Sequence, residues 1–316
     1  MTQKWHNFLH GMIILAVAFV IPGTAYPEEK IYIVTTLPDL ADITARIGGD
    51  VVTVESLAKG VEDPHGIPIK PSFLPKLNRA QAVILMGLEY EHSWLPALLA
   101  EARNPKILKG QIGYIDVSVQ VTPKEVPTDL SRVKGELHPM GNPHFNLDPE
   151  AGRLMAQTIA EGLMLNFPQH RKKFEVNLKE FLAQLDAKIR EWEAMAKPLK
   201  GVKFVSYHQD FTYFAERYGL DYVGTIEFKP GIEPTAAHLV ELIERMKAEG
   251  VRVVIREPHF SEKVPNQIAV QVNGQVVKLP IMVGGAPEVK TYFDLIEYNL
   301  RTLLRVAQTA GVTGKV

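Results

Sequence analysis

The chain contains no cysteine. That excludes disulfides, thiolate metal sites and a cysteine nucleophile, and it leaves no N-terminal cysteine to carry a lipid. Neither charge sign is in excess. There are 35 Lys and Arg against 36 Asp and Glu, for a formal net charge of −1. Without a basic stripe, nucleic acid is not an expected partner. No HExxH motif and no short internal repeat is present. The apolar run Phe8 to Ile21 is short for a membrane span. Lys4 precedes it and Gly23-Thr24-Ala25 follow, the layout of a secretory signal peptide cleaved after Ala25. Residues 1–25 are therefore expected to be removed. The remaining chain is expected free in a periplasm and is not a lipoprotein.

What is present suits a folded receptor or enzyme. With 316 residues, 46% of them hydrophobic, the chain can bury a sizeable core. IYIVTTL reads as a strand, LADITARIG as a helix, VVTVESLA and NRAQAVILMG as strands, and HSWLPALLAEA as a helix. This alternation implies a parallel sheet covered by helices. Between Val117 and Met140 it fails, and a long surface loop is expected. Glu150 to Asn166 and Gln169 to Ala196 then read as helices. The second carries Phe174, Leu178, Phe181, Leu182, Leu185 and Ile189 on one stripe. At ~1.5 Å per residue it would span about 40 Å, the width of a domain.

Alternation resumes with strand GVKFVSYH, helix DFTYFAERYGL, strand DYVGTIE, helix PTAAHLVELIERMKAEG and strand VRVVIRE. SEKVPNQIAVQV reads as helix, QVVKLPIMV as strand, and VKTYFDLIEYNLRTLLRVAQTAG as a closing helix. The fold class is α/β: two lobes with parallel sheets joined by one long rigid helix. The lobes are placed at 26–168 and 199–316, with the helix at 169–198. Phe211-Thr-Tyr213-Phe214 and Tyr292-Phe293 have helical spacing and read as core packing.

Three of the ten histidines share one topological role. His65 ends VEDPH after a strand, His144 sits in GNPHFNLDP before a helix, and His208 ends the strand KFVSYH. Open α/β sheets gather ligands beyond the carboxyl ends of their strands. These residues come from both halves of the chain, so they fit a site in a cleft between lobes. Three imidazoles suit zinc, copper, iron or nickel, with a carboxylate or a water to complete a tetrahedron. Glu62, Asp63, Glu227 and Glu257 are candidate carboxylates, and His259 could compete with Glu257. His170 and His238 lie in polar helical contexts and read as surface or capping residues.

The segments EDPH, HPMGNPHFNLDP, SYHQDFTYFAERYGL, KPGIEPTAAHL, REPHFS and VGGAPEVKTYFDLIEYNL, in that order, span essentially the whole chain after the signal. Together they resemble the TroA-like zinc/manganese family of solute-binding proteins of ABC importers. The resemblance implies two α/β lobes on a rigid helix and a metal between them, with His65, His144 and His208 at the family's histidine positions. The family's fourth ligand is usually an acid after the last strand. Here that place reads IMVGGAP, so Glu257 is taken as the fourth ligand, with water as the alternative.

Three histidines favour zinc over manganese, because manganese receptors of the family tend to replace one by a carboxylate. The loop before His144 carries only His138, which weakens a scavenging role for it. The resemblance also implies a membrane permease as partner, a monomer, and no catalysis. A zinc-dependent hydrolase with Glu257 as base is the alternative from another class. An adhesin or a receptor for a metal-free solute is a third.

Overall fold

The computed structural model describes residues 29–127, 138–229 and 231–313. The expected signal peptide and residues 128–137 of the long loop lie outside the described residues. Strands β1 (Ile31–Thr35), β2 (Val52–Ser56), β3 (Ala82–Leu85) and β4 (Tyr114–Asp116) form one parallel sheet, in the order β2-β1-β3-β4. Strands β5 (Lys203–Ser206), β6 (Asp221–Thr225), β7 (Val253–Arg256) and β8 (Gln275–Lys278) form a second, in the order β6-β5-β7-β8. The two sheets thus repeat one topology that the sequence does not display as a repeat. β8 stops short of the expected QVVKLPIMV because Pro280 has no amide to give to a ladder.

Helices α1 (Pro38–Gly48), α2 (Phe73–Arg79) and α3 (Leu95–Glu101) serve the first sheet. Helices α4 (Pro149–Asn166) and α5 (Arg171–Ala196) follow it. Helices α6 (Thr212–Tyr218), α7 (Ala236–Glu249), α8 (Lys263–Gln271) and α9 (Tyr292–Thr309) serve the second. α5 runs 26 residues, about 39 Å, and buries Phe174, Phe181, Leu185, Ile189 and Trp192. It packs against α1, α4 and α9, so it touches both lobes. Trp192 and Phe181 meet Phe293 of α9 with ring centroids 6.1 and 5.3 Å apart. Among the described residues, no helix is long and apolar enough to cross a membrane.

The lobes share one continuous apolar core, which runs from Ile33 and Leu40 through Trp192 to Phe204, Phe211 and Leu300. Polar contacts add to the join. On α1, Asp39 Oδ1 accepts the Val283 amide at 3.2 Å, and Asp42 Oδ2 accepts that of Tyr292 at 2.9 Å. Asp148 caps α4 through the Glu150 amide and also takes both Nε and Nη2 of Arg217 on α6, at 2.7 and 3.1 Å. A bidentate pair of this kind fixes orientation as well as distance.

Backbones of the two lobes also meet directly. A Cβ on Gly60 would stand 2.1 Å from the Val283 carbonyl oxygen and 2.4 Å from the Gly285 nitrogen. Neither can yield without parting the lobes. Gly60→Ala is expected to cost about 1–3 kcal/mol in urea unfolding, whereas Gly224→Ala, whose Cβ would make ordinary contact with Leu242, should change little.

Asp39 is fully buried, and burial is the main cause that pushes its carboxyl up to about 7. A folded-state value above the ordinary 3.8 makes the group's contribution largest below pH 3.8 and lost as pH rises through about 7. Asp39→Asn keeps an oxygen for the Val283 amide and removes the charge. Urea unfolding in chelator, from pH 5 to 8, should show a shallower loss of stability for this variant than for the parent. Parallel profiles would contradict the assignment.

Candidate metal centre

The loops beyond the strand ends converge on one cluster. His65, His144, His208 and Asp210 place one donor atom each, all within 4.8 Å of one another. The three imidazole centroids form a near-equilateral triangle, with sides of 5.1, 5.2 and 5.2 Å. His65 follows β2, His208 and Asp210 follow β5, and His144 precedes the 3-10 turn Phe145–Leu147 that leads into α4. In the second sheet the chain leaves β5 toward β6 on one side and reaches β7 on the other. Asp210 and Glu257 flank that reversal, where such sheets form a crevice.

Local chemistry sets each ring. Asn142 Oδ1 accepts the His144 amide at 2.9 Å and faces His144 Nδ1 at 2.8 Å. An amide N–H can only donate, so the facing atom is an oxygen and Nδ1 must carry the ring proton. His144 Nε2 then offers a lone pair to the cluster. Gly141, at φ +103, brings this turn against Pro123 and Lys124, where a Cβ would collide. His208 Nδ1 donates to Glu227 Oε2 at 2.7 Å, so Nε2 is the nitrogen turned to the cluster. Such outer partners fix the tautomer of a ligating imidazole. His65 Nε2 faces His144 Nε2 at 3.0 Å.

These contacts bring acceptors together. His144 Nε2 stands 2.9 Å from Asp210 Oδ1 while its ring proton is on the far nitrogen. Both Asp210 oxygens are buried without a hydrogen-bond donor. A buried acceptor left so is costly. A divalent cation satisfies all of them at once. Donors about 2.0–2.1 Å from a tetrahedral zinc stand roughly 3.3 Å apart, and the 2.9 and 3.0 Å contacts lie close to that spacing. Three imidazole nitrogens and one carboxylate are a donor set suited to zinc.

Titration follows the same geometry. Burial, then the neighbouring imidazoles, pushes His65 well below its ordinary range. Burial opposes the charged form of His208, but Asp210 and Glu227 outweigh it and lift the ring to about 9. Burial would raise Asp210, yet His144 and His208 hold it below the usual carboxylate range. Glu257 goes up, through burial and then the neighbouring Asp210 carboxylate.

The candidate carboxylates part company here. Glu257 is fully buried and accepts the His208 amide at 3.4 Å, but it stands outside the four-residue cluster, one layer behind Asp210. Glu62 is engaged within its own loop, with Lys70 Nζ and the Lys59 amide both at 2.7 Å. Asp63 and His259 line the small cavity of about 60 Å³ over the cluster, together with His138. Asp210 was not singled out in the sequence. Its signal was available in SYHQD, where an acid follows a strand-end histidine by two residues.

The family model for the zinc-uptake complex component A, periplasmic (ZnuA), matches residues 33–306. The chain belongs to this family. The high-affinity zinc uptake system protein ZnuA of Bacillus subtilis is 24% identical over 322 residues, covering 96% of this chain and 98% of that protein. A crystal structure of ZnuA superposes with a TM-score of 0.74 at 29% identity, covering 88% of this chain and 99% of that one. A zinc-bound ZnuA lacking residues 138–173 of its own numbering gives 0.74 at 30%, covering 88% and 98%. A manganese-bound periplasmic protein from Candidatus Liberibacter asiaticus shares the fold, at 21% identity and TM-score 0.73. Family membership makes the chain a solute-binding component and sets the hydrolase alternative aside.

If Glu227 orients His208, Glu227→Gln should weaken zinc binding by about 10–100-fold while leaving the stoichiometry at one. Competition calorimetry against a chelator measures this. An unchanged affinity would remove Glu227 from the site.

Proposed function

We propose that the protein captures a divalent metal ion, zinc before manganese, in the periplasm and hands it to the membrane permease of an ABC importer. The observation that supports this most is the convergence of His65, His144, His208 and Asp210 at the meeting of the two lobes, with both Asp210 oxygens buried and unpartnered. The names of the relatives agree with it. The ion is cargo, bound and released unchanged, and no side chain is asked to do chemistry. Our reading of the division of labour is 26–168 for the first lobe, 169–198 for the linking helix and 199–316 for the second. The receptor acts as a monomer.

In this reading three neutral imidazoles leave the +2 charge untouched, and Asp210 supplies the first compensation. Glu227, hydrogen-bonded to His208, supplies the second from outside. Glu257 takes a different part from the one read in the sequence. Burial and the Asp210 charge favour its neutral form, and it backs the ligand carboxylate rather than binding the ion itself. The three histidines and one carboxylate favour zinc, while selectivity over copper rests on geometry and supply.

Replacing His65, His144 and His208 together by Ala should abolish tight binding of zinc in calorimetry. Asp210→Ala should lower affinity by a larger factor than Glu257→Gln, which keeps a hydrogen-bond donor beside Asp210. The reverse order would return Glu257 to the first position. Retention of tight, one-to-one zinc by the triple variant would overturn the site.

A further inference from the structure

Asn142 is saturated. Its amide donates to the Lys124 carbonyl at 2.8 Å, and its carbonyl accepts the Tyr213 hydroxyl at 2.8 Å. Oδ1 takes both His144 contacts. Nδ2 donates to Glu125 Oε2 at 2.7 Å and to the Gln209 carbonyl at 3.0 Å. The residue is 7% exposed. Gln209 is the residue between His208 and Asp210, so its peptide carries the second lobe's two donors. Around this amide, Thr212 donates to Glu125, and the Lys124 amide donates to the Tyr213 hydroxyl at 2.9 Å.

We infer that Asn142 is a positioning residue that couples the two lobes' halves of the metal site: its oxygen fixes the ring of His144 while its nitrogen holds the peptide that presents His208 and Asp210. This rests on the site reading above. Only a carboxamide can do both. Aspartate offers an oxygen to His144 but no donor to Gln209. Leucine of similar shape would strand the His144 proton and the Gln209 carbonyl alike. The coupling places two ligand groups from different lobes in one frame before any ion arrives. The ion's departure is then slowed by a residue that never touches it.

Asn142→Asp separates the two roles. The oxygen facing His144 remains, and as a carboxylate it is the stronger acceptor, which by itself would make Nε2 a better ligand. The Nδ2 side becomes a second carboxylate against Glu125, a repulsion that could unsettle the fold on its own. Glu125→Gln in the same chain removes this, because the new amide can donate to the aspartate. The Gln209 carbonyl stays without its donor.

The measurement is the rate of zinc release into excess chelator by stopped flow, with apo-protein melting and the visible spectrum of the cobalt form alongside. Glu125→Gln alone, which keeps Asn142 on Gln209, should release zinc at the parental rate. The N142D/E125Q pair should release it about 10–100-fold faster, with an altered cobalt spectrum, whatever its melting temperature. Parental release and spectrum in the pair, or equal acceleration in Glu125→Gln alone, overturns the inference and leaves the site reading intact. Tight zinc in the triple histidine variant overturns the site reading instead.

Discussion

The structure turns on a contact that two isolated side chains would avoid. His144 Nε2 bears a lone pair, because its proton is committed to Asn142 on the far side of the ring. It nevertheless lies 2.9 Å from a buried carboxylate oxygen. Acceptors crowd in this way only where a cation is to sit among them or where the surrounding frame leaves no alternative. Here both conditions are met. The frame is the interlobe junction, and the cation is the cargo.

That junction is tied by several kinds of contact at once. A single apolar core runs through both lobes, and the long helix α5 belongs to each. Asp39 and Asp42 of α1 reach across to backbone amides of the second lobe, and Arg217 reaches back to the cap of α4. Opposed backbones at Gly60 and Gly284-Gly285 approach too closely for a Cβ. Each tie is modest alone. Together they mean that the donors from β2, β5 and the turn before α4 are held at fixed separations, which is what a small, strongly bound ion requires.

Much of this was legible in the residues. The alternation of strand and helix gave both sheets, and the single stripe on Arg171–Ala196 gave the linking helix. His65, His144 and His208 shared a place relative to strands and helices, and the structure brings them together. The fourth donor was harder to read. Glu257 ends an apolar strand and looks the part, while Asp210 lies in a turn where the preceding Gln209 carbonyl accepts from Asn142, sixty-seven residues before Gln209 in sequence. No local pattern encodes that contact. The shared topology of the two sheets was hidden for a related reason: register and strand order are set by packing, and packing tolerates unlike sequences.

The position of Glu257 is explained by the cost of putting two carboxylates into one buried place. Two negative charges side by side in a poorly solvated crevice cannot both persist, so one takes up a proton. The one nearer the imidazoles keeps its charge, because His144 and His208 favour the ionised form. The one behind is pushed up by burial and by the Asp210 charge, which favour its neutral form. A second charged acid pressed against Asp210 would add a repulsion that the crevice cannot screen. An acid set behind the aspartate, where burial favours its neutral form, therefore stands beside the ligand without adding to its charge.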